Sequence, residues 1–201
     1  MRIESVEQND AVLVEAAQQG RLDSFGALYQ RYHNPIVALA YAQLGDKHSA
    51  EDAAQEVFAI ACRDLRSLRE RDKFGAWLAG ICRNVTKQML RVKTRTAPLP
   101  CSPAAPGWES DGITPEGGGA TGPGRMEQEE QWDAVRKAVW KLPEGERELV
   151  VMRYFNGFSQ AKISQVLDMT PAAVNGKLTR AKRRIAELLE RDGFGSESWD
   201  A

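Results

Sequence analysis

The residues best placed to do chemistry lie between Phe158 and Glu190. Lys177, Arg180, Lys182, Arg183 and Arg184 fall in the run from Met169 to Ala186, which contains no acidic residue. Val174, Leu178, Ala181, Ile185 and Leu188 follow one another at steps of four, three, four and three, so the segment reads as a helix with one apolar stripe. Upstream, Ser159 precedes a short helix, Gln160–Leu167, and Asp168-Met169-Thr170 makes a turn. Thr170 is a good N-cap, and Pro171 stands at the first helical position, where a missing N–H costs nothing. This is a helix-turn-helix pattern. A cationic second helix can enter a DNA major groove by its first turns while Lys and Arg neutralise phosphates. A solvated amphipathic helix in a bundle has the same composition.

Other reactive groups are poorly arranged for catalysis. Glu51, Asp52 and Glu56 form a carboxylate cluster, but His33 and His48 are isolated and no second acidic cluster accompanies them. The glycine run Gly117–Ala120 lacks the Gly-Lys-Ser/Thr ending of a phosphate-binding loop. Cys62, Cys82 and Cys101 are scattered, with no Cys-x-x-Cys pair and no Cys/His cluster, so neither zinc nor a disulfide framework is expected. Cys62 and Cys82 read as small buried hydrophobes, and Cys101 as a free thiol in a linker. The chain is therefore read as a non-enzyme without metal or cofactor. No signal peptide and no apolar run of membrane-spanning length is present, which points to a soluble cytoplasmic protein.

The elements that must carry these residues are helical almost throughout. The fold class expected is all-α, in two small domains, residues 1–96 and 127–192, joined by a flexible linker, 97–126, and followed by a tail, 193–201. The expected helices are Asp10–Gln19, Leu22–Tyr32, Ile36–Leu44 opened by Pro35, one capped by Ser49 and running to about Leu65, and Phe74–Lys93. A polar connection, Arg66–Lys73, lies before the last of these. In the second domain Trp132, Val135, Val139 and Leu142 form one stripe. Pro143 opens the next helix, with Glu144, Glu146 and Glu148 set against its N-terminal dipole. The linker holds six prolines and seven glycines in 30 positions, too little apolar side chain to form a core. As a relaxed coil it spans roughly 30 Å, and about 100 Å when stretched.

Net charge is only −1, yet it is unevenly distributed. Residues 1–62 carry four basic and nine acidic side chains, whereas residues 63–95 carry ten basic and three acidic ones. One part of the first domain repels phosphate and the next attracts it. Such a division suits a protein that docks on another protein and on nucleic acid together.

Three segments resemble a known family. Ala50-Glu51-Asp52-Ala53-Ala54-Gln55-Glu56-Val57-Phe58 is one; Phe74-x-x-Trp77-Leu78-x-x-Ile81-x-Arg83-Asn84 is the second. The third joins Leu142-Pro143, Arg147, Arg153-Tyr154-Phe155-x-Gly157-Phe158-Ser159 and Val174-x-x-x-Leu178-x-Arg180-Ala181-Lys182. In order and spacing they resemble regions 2 and 4 of the bacterial extracytoplasmic-function (ECF) RNA polymerase sigma factors of the sigma-70 family.

The resemblance implies a promoter-recognition and transcription-initiation role. Asp52, Gln55, Glu56 and Phe58 would meet the clamp helices of the polymerase β′ subunit, although Phe58 is equally a core residue and Asp52 equally a helix cap. Arg69, Arg71, Lys73, Trp77, Arg83, Asn84, Lys87, Arg91 and Lys93 would handle the −10 element, where an unstacked strand needs cations and aromatic faces. Trp77 as core and Asn84 as a loop-bonding residue remain open beside this. Thr170, Ala173, Asn175, Lys177, Arg180, Lys182 and Arg183 would read the −35 element. Asn175-Gly176-Lys177 replaces the family's usual Lys, Ser and Arg, which alters the bases that can be read. An anti-sigma protein is the further partner implied. The competing expectation is a stand-alone helix-turn-helix transcription regulator, which would have no use for the acidic face at Asp52–Phe58.

Overall fold

The structure, a computed structural model, describes residues 9–96 and 124–194. Eight α-helices and no strand occur among the described residues: α1 Asp10–Gln18, α2 Leu22–Leu44, α3 Lys47–Asp64, α4 Phe74–Thr96, α5 Gly124–Trp140, α6 Glu144–Val150, α7 Gln160–Leu167 and α8 Pro171–Arg191. The expected linker, with Cys101 and Gly117–Ala120, lies outside them apart from Gly124–Met126, which begin α5. The end of the tail, residues 195–201, lies outside them as well.

Two helices expected around Pro35 are one. α2 runs unbroken from Leu22 to Leu44 with Pro35 inside it. An internal proline removes a hydrogen bond and costs about 3 kcal/mol. Full burial of Leu28, Tyr32, Ile36 and Leu39 on one stripe offsets that cost. Gly45, at φ 73°, closes the helix in the left-handed conformation that glycine adopts without strain.

The start of α3 also differs from expectation. Asp46 is the N-cap, accepting from the His48 amide at 3.3 Å and the Ser49 amide at 2.9 Å. Ser49, expected as the cap, lies inside the helix and donates its hydroxyl to Asp46. These hydrogen bonds, with the Ser49 hydroxyl foremost, hold the Asp46 carboxyl below the usual carboxylate range. Between α3 and α4 the connection makes two short 3-10 turns, Leu65–Ser67 and Arg71–Lys73. Gln18 of α1 anchors them by donating to the Leu65 and Leu68 carbonyls at 3.0 and 2.9 Å.

In the C-terminal half the backbone widens after α6 into a π-helical turn, Val151–Phe155, which Gly157 at φ 66° brings to an end. The helix-turn-helix is as expected: Ser159 caps α7, Asp168 makes the turn at φ 51°, and Thr170 caps α8 with Pro171 following. On α8, Val174, Leu178 and Ala181 are buried and Ile185 and Leu188 half-buried. Trp132, expected in the core stripe of α5, is 40% exposed. Cys82 is buried as expected, and burial pushes its thiol up to about 12. Cys62 is exposed, on the outer side of α3.

The halves expected to hang apart on a tether are packed together. α2 meets α6 and the π-helical turn, and α4 meets α7. One apolar core runs from Leu13 in α1 to Ala181 in α8. Gly75 in α4 permits the closest approach: a Cβ there would lie 3.1 Å from the Gln165 carbonyl of α7 and 2.8 Å from a Tyr32 ring carbon.

Because Asp46 carries the cap, Asp46→Ala is expected to destabilise the protein by about 1–2 kcal/mol. Ser49→Ala should cost less than half as much. Urea unfolding of the two variants against the parent measures the difference.

Candidate nucleic-acid interface

The acidic face is built by α3. Asp52, Gln55 and Glu56 are exposed on it, and Asp52 lies one turn from His48, 3.8 Å away. Phe58 is placed in the core, 4% exposed, packed on Tyr29 at a ring separation of 4.6 Å and stacked on His33 at 6.3 Å. The exposed patch is thus three polar residues standing over an aromatic support. Glu51, half-buried beside it, faces His33 at 3.8 Å.

The cationic face begins in the connection before α4. Arg69 and Lys73 are exposed there. Arg71 is turned toward α1, donating to Gln18 at 2.9 Å and to Glu15 at 2.8 Å. Lys73 pairs with Glu70 at 2.9 Å, which raises its pKa. Trp77 is half-buried and tilted against Phe74, 6.0 Å between ring centres, which places most of it with the core. Asn84, Lys87, Arg91 and Lys93 are exposed along the rest of α4.

Arg83 has a different setting. It donates twice to Glu148 of α6, at 3.2 and 2.9 Å, and that hydrogen bonding is the main cause of its raised pKa. Glu148 is buried, its side chain 3% exposed, and accepts a third hydrogen bond from Gln43 at 2.9 Å. Gln43 in turn accepts from Thr86, which is itself fully buried.

On α8, Thr170, Ala173, Asn175, Arg180, Lys182 and Arg183 are exposed, and Lys177 is half-buried. The Lys182 ammonium lies 5.3 Å from the Tyr154 ring centre, and Arg183 faces Glu187 at 3.5 Å. Arg184 pairs with the buried Glu146 at 3.0 Å, tying α8 to α6. A Cβ on Gly176 would meet open space, so the protein interior does not require a glycine there.

Sequence reasoning missed a set of polar residues that join the halves. Asp10, buried, accepts from Arg31, Tyr32 and, across the contact, Gln165 of α7 at 2.6 Å. Lys162 of α7 sits 4.0 Å over the Tyr32 ring. Arg147 of α6 donates to the Ala42 carbonyl at 2.6 Å and stacks over Trp140, and its burial lowers its pKa. Glu144 and Glu146 stand in the first turn of α6 as expected, and Glu146 and Glu148 in addition pair with arginines on other helices. The available signal was Glu148 standing before an unbroken apolar run, Leu149 to Met152.

Comparison with known proteins agrees with this geometry. The family described as Sigma-70 region 2 matches residues 28–96, and that described as Sigma-70, region 4 matches residues 132–185. The ECF RNA polymerase sigma factor BldN of Streptomyces coelicolor is 28% identical over 186 residues, covering 90% of this chain and 66% of the relative. The ECF RNA polymerase sigma factor SigW of Bacillus subtilis is 26% identical, covering 88% and 94%. The chain is a sigma-70 family RNA polymerase sigma factor of the ECF group. Its fold is similar to that of the sigma factor RpoE in complex with the anti-sigma factor NepR from Bartonella quintana, at TM-score 0.50 and 20% identity, covering 85% of this chain and 99% of that one. Among the described residues no helix is long and apolar enough to cross a membrane, and no group of His, Cys, Asp and Glu could hold a metal ion.

The open space at Gly176 carries a prediction. Gly176→Ala should stabilise the protein by about 1 kcal/mol, because an interior helical glycine loses that much to backbone entropy. Thermal unfolding of the free protein reads it.

Proposed function

We propose that this sigma factor divides its work among three faces. Asp52, Gln55 and Glu56 on α3 seat the protein on the polymerase clamp helices, with Phe58 shaping that face from beneath. The α4 helix and the connection before it, through Arg69, Lys73, Trp77, Asn84, Lys87, Arg91 and Lys93, hold the −10 strand. Arg71 acts from its tie to α1, and Arg83 from its ion pair with Glu148. The first turns of α8, Thr170, Ala173, Asn175 and Lys177, read −35 base edges, while Arg180, Lys182 and Arg183 meet the backbone.

The observation that carries this reading is the segregation of charge. The exposed acids of α3 and the exposed cations of α4 lie on separate helices of one bundle, and α8 presents a second cationic face. In this reading residues 1–96 form the polymerase and −10 unit and residues 127–192 the −35 unit. Promoter opening draws on binding free energy alone, so the protein works as an initiation factor in the cytoplasm rather than as an enzyme. Phosphate contacts position it and base contacts specify its sites. Asn175 suits adenine and Lys177 the acceptors of guanine. The anti-sigma protein held by the structural relative supports a regulator of the same kind here.

Run-off transcription with purified core polymerase, with and without this chain, tests the reading: specific transcripts should need both. Glu56→Lys should weaken association with core polymerase at least tenfold while leaving helical circular dichroism intact. Arg180→Ala should lower −35-dependent binding for all sequences and reduce the salt slope by about one unit. Lys177→Ala should also change which −35 sequences are preferred, and a binding-site selection on random DNA would show it.

A further inference from the structure

We infer that Gln18 of α1 is a positioning residue for promoter opening: it holds the connection between α3 and α4 in the shape that captures an unstacked −10 base. Its side-chain amide offers two N–H donors and one acceptor oxygen. The donors go to the Leu65 carbonyl at 3.0 Å and the Leu68 carbonyl at 2.9 Å, and the oxygen accepts from Arg71 Nε at 2.9 Å. Arg71 continues the tie to Glu15, three residues back on α1, at 2.8 Å. The helix that carries Gln18 is itself fixed. Leu13 and Val14 are buried, and Asp10 at its start accepts from Arg31 and Tyr32 of α2. The match to Sigma-70 region 2 begins at residue 28, so α1 lies outside it.

The connection turns inward at every third residue. Leu65, Leu68 and Phe74 are buried and Arg71 is half-buried, whereas Arg66, Arg69 and Lys73 between them are exposed. That is the period of a 3-10 helix, and it sends one row to the core and the cations outward. The turns close with the Leu68 N–H on the Leu65 carbonyl at 3.1 Å and the Lys73 N–H on the Glu70 carbonyl at 3.0 Å. Hydrogen bonds of this kind have poorer geometry than α-helical ones, so short 3-10 turns hold their shape weakly by themselves. Gln18 supplies the missing support. Three hydrogen bonds on one planar group fix Leu65, Leu68 and Arg71 relative to one another, which non-directional apolar burial does not do.

Base capture depends on such a fixed shape. Taking a nucleotide out of its stack is uphill, and the surface that receives it must offset the loss. A surface already ordered loses no further conformational freedom on binding. Arg69 and Lys73 stand on the outward row, and the second turn runs directly into α4 at Phe74. The tie at Gln18 therefore sets where those cations stand beside Trp77 and Asn84. A connection that holds the capturing shape only about one tenth of the time would bind the strand about ten times more weakly. The inference rests on the −10 role proposed for the connection and α4; the hydrogen bonds of Gln18 do not.

The experiment uses holoenzyme, core polymerase with the full chain, on a genomic promoter fragment that the parent transcribes. 2-Aminopurine replaces the −10 bases one at a time, and its fluorescence rises when the base leaves the stack. Gln18→Met keeps the length of the side chain and removes its hydrogen bonds. If parent capture is favoured about tenfold, a tenfold loss brings the fluorescence plateau at saturating holoenzyme to about half the parent's. Affinity for core polymerase should be unchanged. A merely structural defect would lower the amount of holoenzyme formed and leave the plateau at saturation intact. Glu15→Ala cuts the outer bond to Arg71 but leaves those of Gln18, and should keep the parent's plateau. A parent-like plateau in Gln18→Met, or an equal fall in Glu15→Ala, would overturn the role of Gln18. Arg69→Ala with Lys73→Ala tests the reading beneath it. A fall in that double variant without one in Gln18→Met would overturn the positioning role and leave the −10 role standing. No fall in the double variant would overturn the −10 role of the connection and the inference with it. Should Gln18→Met lose its helical circular dichroism, Gln18→Glu takes its place, since it keeps the Arg71 bond but cannot donate to the two carbonyls, and the same outcomes decide.

Discussion

A buried carboxylate cannot stand alone, and Glu148 decides how the two halves of this chain meet. Its side chain is almost wholly withdrawn from water. Such a charge is tolerated only with a counter-charge and with its lone pairs occupied. Arg83 supplies the first, and Gln43 adds the hydrogen bond that Arg83 leaves unmade. Thr86 fixes the orientation of Gln43. The register of α6 against α2 and α4 follows from this constraint. Apolar contact alone, being non-directional, would accept several registers.

Arg83 belongs to a helix whose exposed side carries Lys87, Arg91 and Lys93, and its own guanidinium is satisfied by a carboxylate of α6. On α8, Arg184 is likewise held by Glu146, while Arg180 and Lys182 stay exposed. Both helices therefore carry exposed cations beside one arginine that pairs with a buried acid of α6. The paired ones, Arg83 and Arg184, tie their helices to α6.

Local chemistry that depends on neighbours in sequence was legible. Ser159, Thr170 and Pro171 mark helix starts because their side chains act within a few residues. The apolar stripe of α8 and the acid and basic division before and after Arg63 were readable for the same reason. Two local readings failed where burial outweighed propensity. Pro35 should end a helix, but the stripe running through Leu28, Tyr32, Ile36 and Leu39 carries α2 across it. Ser49 has the look of a cap, but Asp46 stands three residues earlier and its carboxylate caps the His48 and Ser49 amides, so the helix has already begun at Ser49.

By itself the amino-acid order determined the all-helical character, the helix-turn-helix, the separation of acidic from basic surfaces and the family to which the motifs belong. All of these follow from periodicity and from side chains acting on adjacent backbone. Only the tertiary structure decided which charged residues are spent inside the molecule. Glu148 meets Arg83 across 65 positions and Asp10 meets Gln165 across 155. Pairings at that range depend on burial and helix packing rather than on local spacing, so an arginine already paired reads in sequence the same as one left for DNA.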